Sequence, residues 1–264
     1  MSAVPTTLLV PARGQRGFTV VELMVTIAIA MFLLGGLVTV VQNVRSTYSQ
    51  QQALVQLQDQ QRFAITLLTD VIQSGGYFDN PTGDTVISAL PLDAGNGFAT
   101  GQAFAGVQGG VGPAAAGDRI SVRFRTAIND GIINCSGSPN TTVGPDQVYI
   151  NTFSVNAAGQ LQCALNGAAA LPLVSGVASL SVYYGVKRLT PATDYNVDTY
   201  LQANAMQATD WSNVSSVRVI VWFANPLFNA GGAGVGAAGG GVQQPQYIKY
   251  ERVIQVMARA GDYT

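Results

Sequence analysis

Phe18-Thr-Val-Val-Glu22-Leu-Met-Val-Thr-Ile-Ala-Ile-Ala-Met-Phe-Leu-Leu-Gly-Gly-Leu-Val-Thr-Val-Val41 is a run of 24 residues with one charge, Glu22. From Leu23 to Val41 there is no charge at all. As a helix the run reaches about 36 Å, enough to cross a hydrocarbon layer of about 30 Å. Arg13 and Arg16 precede it, so the positive-inside rule keeps the N-terminus cytoplasmic and places the chain beyond Val41 outside the cytoplasm. A secretory signal has its small-residue cleavage site after the apolar stretch; Val41-Gln-Asn-Val-Arg45 offers none. Glu22, just inside the apolar segment, needs a partner, because a carboxylate in a bilayer costs about 2.5–3.5 kcal/mol at the centre and less near an end.

Outward from this run the pattern stays helical. Residues 42–74 contain neither proline nor glycine, and Leu54, Leu57, Ala64, Leu68 and Val71 recur on one face. Arg45, Gln52, Asp59, Arg62 and Gln73 suit the other side, and Gly75-Gly76 ends the segment. The spacing predicts one helix over 18–74.

Beyond Gly75 the period changes to two. Candidate strands are 119–127, 147–155, 161–164, 178–186, 215–224 and 247–258. Ile120, Val122 and Phe124 point one way, and Ser121, Arg123 and Arg125 the other; Val217, Val219, Val221 and Phe223 form a second such row. These runs suit an antiparallel sheet with one buried face. The predicted class is α+β, a long N-terminal helix packed on an antiparallel β-sheet head. Long loops are expected at 93–117, at 136–145, where turn formers cluster, and at 229–244, a low-complexity stretch reading NAGGAGVGAAGGGVQQ.

Composition narrows the function. Charged residues make up 10% of the chain, against about 25% in an ordinary soluble domain, which suits a protein held against membrane or neighbouring subunits. The net charge of −1 gives no electrostatic reason to expect nucleic acid as a partner. The absence of histidine removes Ser-His and Cys-His nucleophile pairs, and no catalytic, cofactor or metal site is expected. Asp194-x-Asn196-x-Asp198 has the start of a calcium loop, but Thr199 stands where the loop needs glycine and Ala205 where it needs glutamate. It reads as a polar turn. The Gly-rich 229–244 segment lacks the Lys-Ser/Thr of a phosphate-binding loop. Trp211, Trp222, Tyr183 and Tyr184 read as core or subunit interface rather than a sugar platform. Cys135 and Cys163 form an even count, which in an exported chain favours one disulfide; two free buried thiols are the alternative.

Arg16-Gly17-Phe18-Thr19-Val20-Val21-Glu22-Leu23 resembles the class III signal of type IV prepilins and pseudopilins. The resemblance implies that a prepilin peptidase cuts between Gly17 and Phe18 and that Phe18 becomes the N-methylated first residue. Glu22 would then neutralise the ammonium of an adjacent subunit and set axial register, since a paired buried charge is tolerated and an unpaired one is not. Gly35-Gly36 stands where major pilins commonly carry a helix-breaking proline; it either loosens the helix or permits close helix packing.

The head resembles the PilW family of minor pilins. The stretches that carry this are Arg62-Phe63-Ala64 with Gly75-Gly76-Tyr77, Leu161-Gln162-Cys163, Pro172-Leu-Val-Ser-Gly-Val177 leading to Val182-Tyr-Tyr-Gly185, and Trp211-Ser-Asn-Val214 leading to Val217-Arg218. The chain departs from the family in having Val186-Lys187 where an acidic residue often follows the Tyr-Gly. The implied organisation is a leader over 1–17, a transmembrane or filament-core helix over 18–41, an amphipathic half-helix over 42–74 and a periplasmic head over 75–264. The implied role is initiation of type IV pilus assembly, in the tip complex, supporting fibre formation, adhesion and twitching motility. The implied partners are other minor pilins, the major pilin, a tip adhesin and the inner-membrane assembly platform. A pseudopilin of a type II secretion system shares the leader and helix and is the alternative. A ligand-binding head and an anchored enzyme are the remaining readings, and neither has a residue constellation behind it.

Overall fold

The computed structural model describes residues 17–110, 112–113, 117–188, 196–228 and 244–257. The chain divides into two compact units, Met1–Gln51 and Gln52–Thr264, with the boundary inside helix α1, Val20–Gln73.

In the first unit the helix opens on a side-chain cap. The backbone N–H of Glu22 donates to Thr19 Oγ1 at 3.2 Å, and Leu23 N–H donates to the Thr19 carbonyl at 3.1 Å. One of the four orphan donors at the helix start is thereby satisfied. The helix runs through Gly35 and Gly36 without interruption, and Thr39 Oγ1 donates back to the Gly35 carbonyl at 3.0 Å.

The second unit carries the core. Along α1 the buried positions are Leu57, Ala64, Ile65, Leu68, Thr69, Val71 and Ile72, the recurrence expected of one face meeting a packed interior. Gly76 closes the helix in the left-handed region, φ +78°, a conformation that costs glycine nothing. It also turns the chain onto the sheet, since Gly76 N–H donates to the Arg123 carbonyl at 2.9 Å.

Two sheets form, not the one suggested by the alternation. The first is an antiparallel meander of β1 (Phe104–Val107), β2 (Arg119–Thr126), β3 (Gln147–Val155), β4 (Gln160–Leu165) and β5 (Leu171–Ser175), in that order. The second has the order β7-β6-β8-β9, from β6 (Val177–Val186), β7 (Thr199–Leu201), β8 (Ser216–Ala224) and β9 (Tyr247–Gln255). Ile120, Val122 and Phe124 of the first sheet, Leu180, Val182, Val217, Val219, Val221 and Phe223 of the second, and Leu68 and Ile72 of the helix join one core. Asp118, buried ahead of β2, ties the sheets together. Its backbone N–H donates to the Leu180 carbonyl at 2.6 Å, and its carboxylate accepts from Val182 N–H at 2.7 Å and Gly109 N–H at 3.0 Å.

Strands β1, β5 and β7 are additions to the sequence reading. β1 lies within the expected 93–117 loop and β7 has only three residues, while Pro172 lowers the strand signal of β5. The expected excursion at 136–145 is largely exposed, with Asn140 as its buried keystone: Asn140 Nδ2 donates to the Thr126 carbonyl at 3.0 Å. Of the 229–244 segment only Gln244 falls within the described residues.

Candidate functional site

The first candidate is the start of α1. Every described residue from Gly17 to Ser49 is exposed, and within this stretch the helix is long and apolar enough to cross a membrane, with a window of mean hydropathy 2.5 that has nothing buried. Phe18 is 79% exposed and Phe32 81%. A soluble protein does not leave so large a continuous apolar surface in water; the surface requires lipid or other helices around it. Glu22 is the one charge between Phe18 and Val41. Gly17, Phe18 and Glu22 are neighbours at the helix start, and Thr19, which the sequence reading passed over, fixes where the helix begins. The signal for it was present as Thr19-x-x-Glu22, the spacing of a capping box.

The second candidate is the outer face of β2. Alternation assigns Arg123 to solvent, yet it is 1% exposed. The segment between Asp84 and Gln102 folds over it. Its Nε donates to the Gln102 carbonyl at 3.0 Å, Nη1 to Pro91 at 2.7 Å, and Nη2 to Gln102 at 2.6 Å and Ala99 at 3.0 Å. The guanidinium carbon lies 4.7 Å from the centre of the Phe98 ring, a cation–π contact. Burial pulls its pKa below the ordinary arginine value, partly offset by Asp93. The planar fork of donors matches a ring of carbonyls, a geometry that lysine's point charge cannot reproduce. Two residues on, Arg125 gathers carboxylates: it pairs with Asp84, with Asp79 at 3.1 Å and with Asp146 at 3.6 Å. Both arginines pin connecting segments to a strand.

Cys135 and Cys163 are joined in a disulfide with Cα atoms 6.3 Å apart. It ties the 127–146 connection to β4, and at a separation of 28 residues a cross-link is worth roughly 3–4 kcal/mol in the chain-entropy model. Tyr184 is fully buried and meets Trp211 edge-on, ring centres 4.8 Å apart; burial pushes its phenol well above the ordinary tyrosine value. The Arg218 guanidinium lies over the rings of Tyr183, at 4.4 Å, and Tyr200, at 5.3 Å. Asp194 lies outside the described residues. Asp198 accepts from the Arg188 backbone N–H at 3.1 Å. Among the described residues, no cluster of three or more His, Cys, Asp or Glu side chains is placed to hold a metal ion.

Several carboxylates are set by their partners. Asp210 is held below the usual aspartate range by its hydrogen bond from Arg188 and by Gln207 N–H at 2.7 Å, against an opposing effect of burial. Arg125 likewise lowers Asp84, and Lys249 lowers Glu251; Asp146 is raised by burial and by neighbouring carboxylates. A lowered carboxyl stabilises the fold fully above its unfolded pKa and loses that contribution as pH falls through its folded one. The thermal unfolding midpoint of the purified chain should therefore be flat from about pH 5 to 8 and fall below about pH 4, the region of the unperturbed carboxyls. With no histidine in the chain, a step near pH 6.5 in calorimetry would contradict this account.

Comparison with known families gives two matches. A family model described as "Type IV Pilus-assembly protein W" matches residues 149–229, from β3 through β8. One described as "Prokaryotic N-terminal methylation motif" matches residues 12–38, a span that includes Gly17, Phe18, Thr19 and Glu22. No curated protein matches the chain.

Proposed function

The chain is a type IV pilin of the PilW family, and from that premise we propose that it is a minor pilin that takes part in initiating pilus assembly, within the tip complex, and so supports fibre formation, adhesion and twitching motility. Proteins of this family are structural subunits rather than enzymes. The observation that carries the proposal is the bare apolar surface of α1, with one acid at its start and a methylation motif over it. A helix with this surface is retained only if other helices or lipid cover it.

On this reading residues 1–17 are the leader, removed between Gly17 and Phe18, and Phe18 is N-methylated. Residues 18–41 cross the inner membrane and later line the fibre core, 42–74 form the second half of the helix, and 75–264 form the head. The N-terminus faces the cytoplasm and the head the periplasm, consistent with an oxidised Cys135–Cys163 pair. The partners are other minor pilins, the major pilin, a tip adhesin and the assembly platform. The PilW match in the head favours this over a secretion pseudopilin.

The deciding experiment replaces Gly17 by aspartate in cells lacking the native gene. The expected result is accumulation of unprocessed chain in the membrane and at least a tenfold loss of surface pili. Normal processing together with normal piliation would remove the basis of the proposal.

A further inference from the structure

Four strands lie at the edges of the two sheets: β1, β5, β7 and β9. An open edge presents unpaired N–H and C=O groups to any passing extended chain, and folded proteins blunt such edges with short strands, bulges, proline or cover. Three of these edges are blunted. β1 has four residues, and its Ala105 carbonyl accepts from Tyr184 Oη at 3.4 Å. β5 carries Pro172 opposite a register shift at Leu161/Gln162. β7 has three residues.

β9 differs. It has nine residues, without glycine or proline, in unbroken register with β8 from Ser216↔Gln255 to Ala224↔Tyr247. Two hydrogen bonds beyond its ends fix which groups face outward. Asn225 N–H donates to the Gln246 carbonyl and Val256 N–H to the Ser215 carbonyl, both at 3.0 Å. In an antiparallel ladder bonded and non-bonded pairs alternate. The even-numbered residues of β9 therefore bond to β8, and Tyr247, Lys249, Glu251, Val253 and Gln255 direct their N–H and C=O groups to the other edge, where no strand pairs among the described residues.

We infer that this edge of β9 receives an extended segment of another pilus subunit by strand addition. The segment would carry an acidic side chain on the face shared with Arg252 and an apolar one beside Val253. The charge pattern supports this occupant. Lys249 is already neutralised by Glu251 at 2.6 Å, whereas Arg252 is exposed and has no ion pair among the described residues. Val253, half exposed, stands on the opposite face. The inference rests on the reading of the chain as a pilus subunit and adds to it the contact surface and the form of the partner.

The alternation supplies the test. Val253→Pro removes an N–H that serves no bond to β8, so β9 keeps its ladder; Arg252→Glu reverses the unpaired charge and leaves the backbone intact. The full-length chain, with benzoylphenylalanine at Lys249, is irradiated in pilus-forming cells and its adducts are identified by mass spectrometry. The expected adduct joins β9 to another pilus subunit and falls at least tenfold with either substitution, at unchanged chain level. An adduct to a second copy of this chain, or one unaffected by both substitutions, overturns the inference. So does an adduct that arises only after truncation following Met257, since residues 258–264 would then be the occupant. If Val253→Pro lowers the chain level, Arg252→Glu alone decides. Piliation that depends on the chain with no adduct at β9 refutes the inference alone. Piliation that is indifferent to deletion of the gene refutes the assembly reading itself.

Discussion

Arg123→Ala is expected to destabilise the head by about 3–5 kcal/mol, the range for breaking a buried charged network. Among the described residues the side chain is the one donor set against the carbonyls of Pro91 and Gln102, and it shares the Ala99 carbonyl with the Gln102 backbone N–H. Its removal leaves buried acceptors unpaired, at about 1–3 kcal/mol each, and empties the space beside Phe98. Arg123→Lys keeps the charge but offers no planar fork, so it should recover less than half of the loss. Urea unfolding followed by circular dichroism measures both variants. Limited proteolysis should find new cuts within residues 84–102, the segment this side chain holds down. A lysine variant as stable as wild type would show that charge, not the fork, is what matters.

The second large effect concerns Glu22. On the proposed reading, Glu22→Ala leaves cleavage before Phe18 intact but lowers incorporation into sheared pili at least tenfold. In the single chain Glu22 is exposed on an otherwise apolar helix. Packed among neighbouring helices its charge would be desolvated, and an ammonium on an adjacent subunit would offset that cost. Removing the acid strands the ammonium, which is worse than removing both. The Thr19 cap accepts from the backbone N–H of residue 22 and survives the substitution, so the helix start is preserved and the effect isolates the charge. Mass spectrometry of membrane and pilus fractions gives the comparison. Wild-type amounts of the alanine variant in pili would exclude the pairing.

Much of this architecture was legible in the residues. A helix needs an apolar recurrence and a stop, and 18–74 has both; α1 occupies Val20–Gln73. Strict alternation placed β2, β3 and β8 within a residue of their observed ends. What alternation cannot supply is the fate of the second face. It says that Arg123 and Phe124 point oppositely, not whether another segment lies over the arginine. That cover comes from the Asp84–Gln102 segment, in which buried Leu90 and Phe98 follow no regular period. The division into two sheets was hidden for a related reason: it falls at Gly176, φ +76°, the single residue between β5 and β6, and no property of the strands themselves marks it. β1 and β7 were too short to show a period above that of their loops.

The buried face of α1 has a mechanical consequence. Its core residues run from Leu57 to Ile72, a length of about 22 Å at the rise of a helix. Tension applied along the axis loads all of these contacts in parallel, as shear, and the helix slips only when the whole row yields together. A sideways pull would peel the same contacts one after another at far lower force. The head therefore grips its helix most strongly against traction directed along the rod.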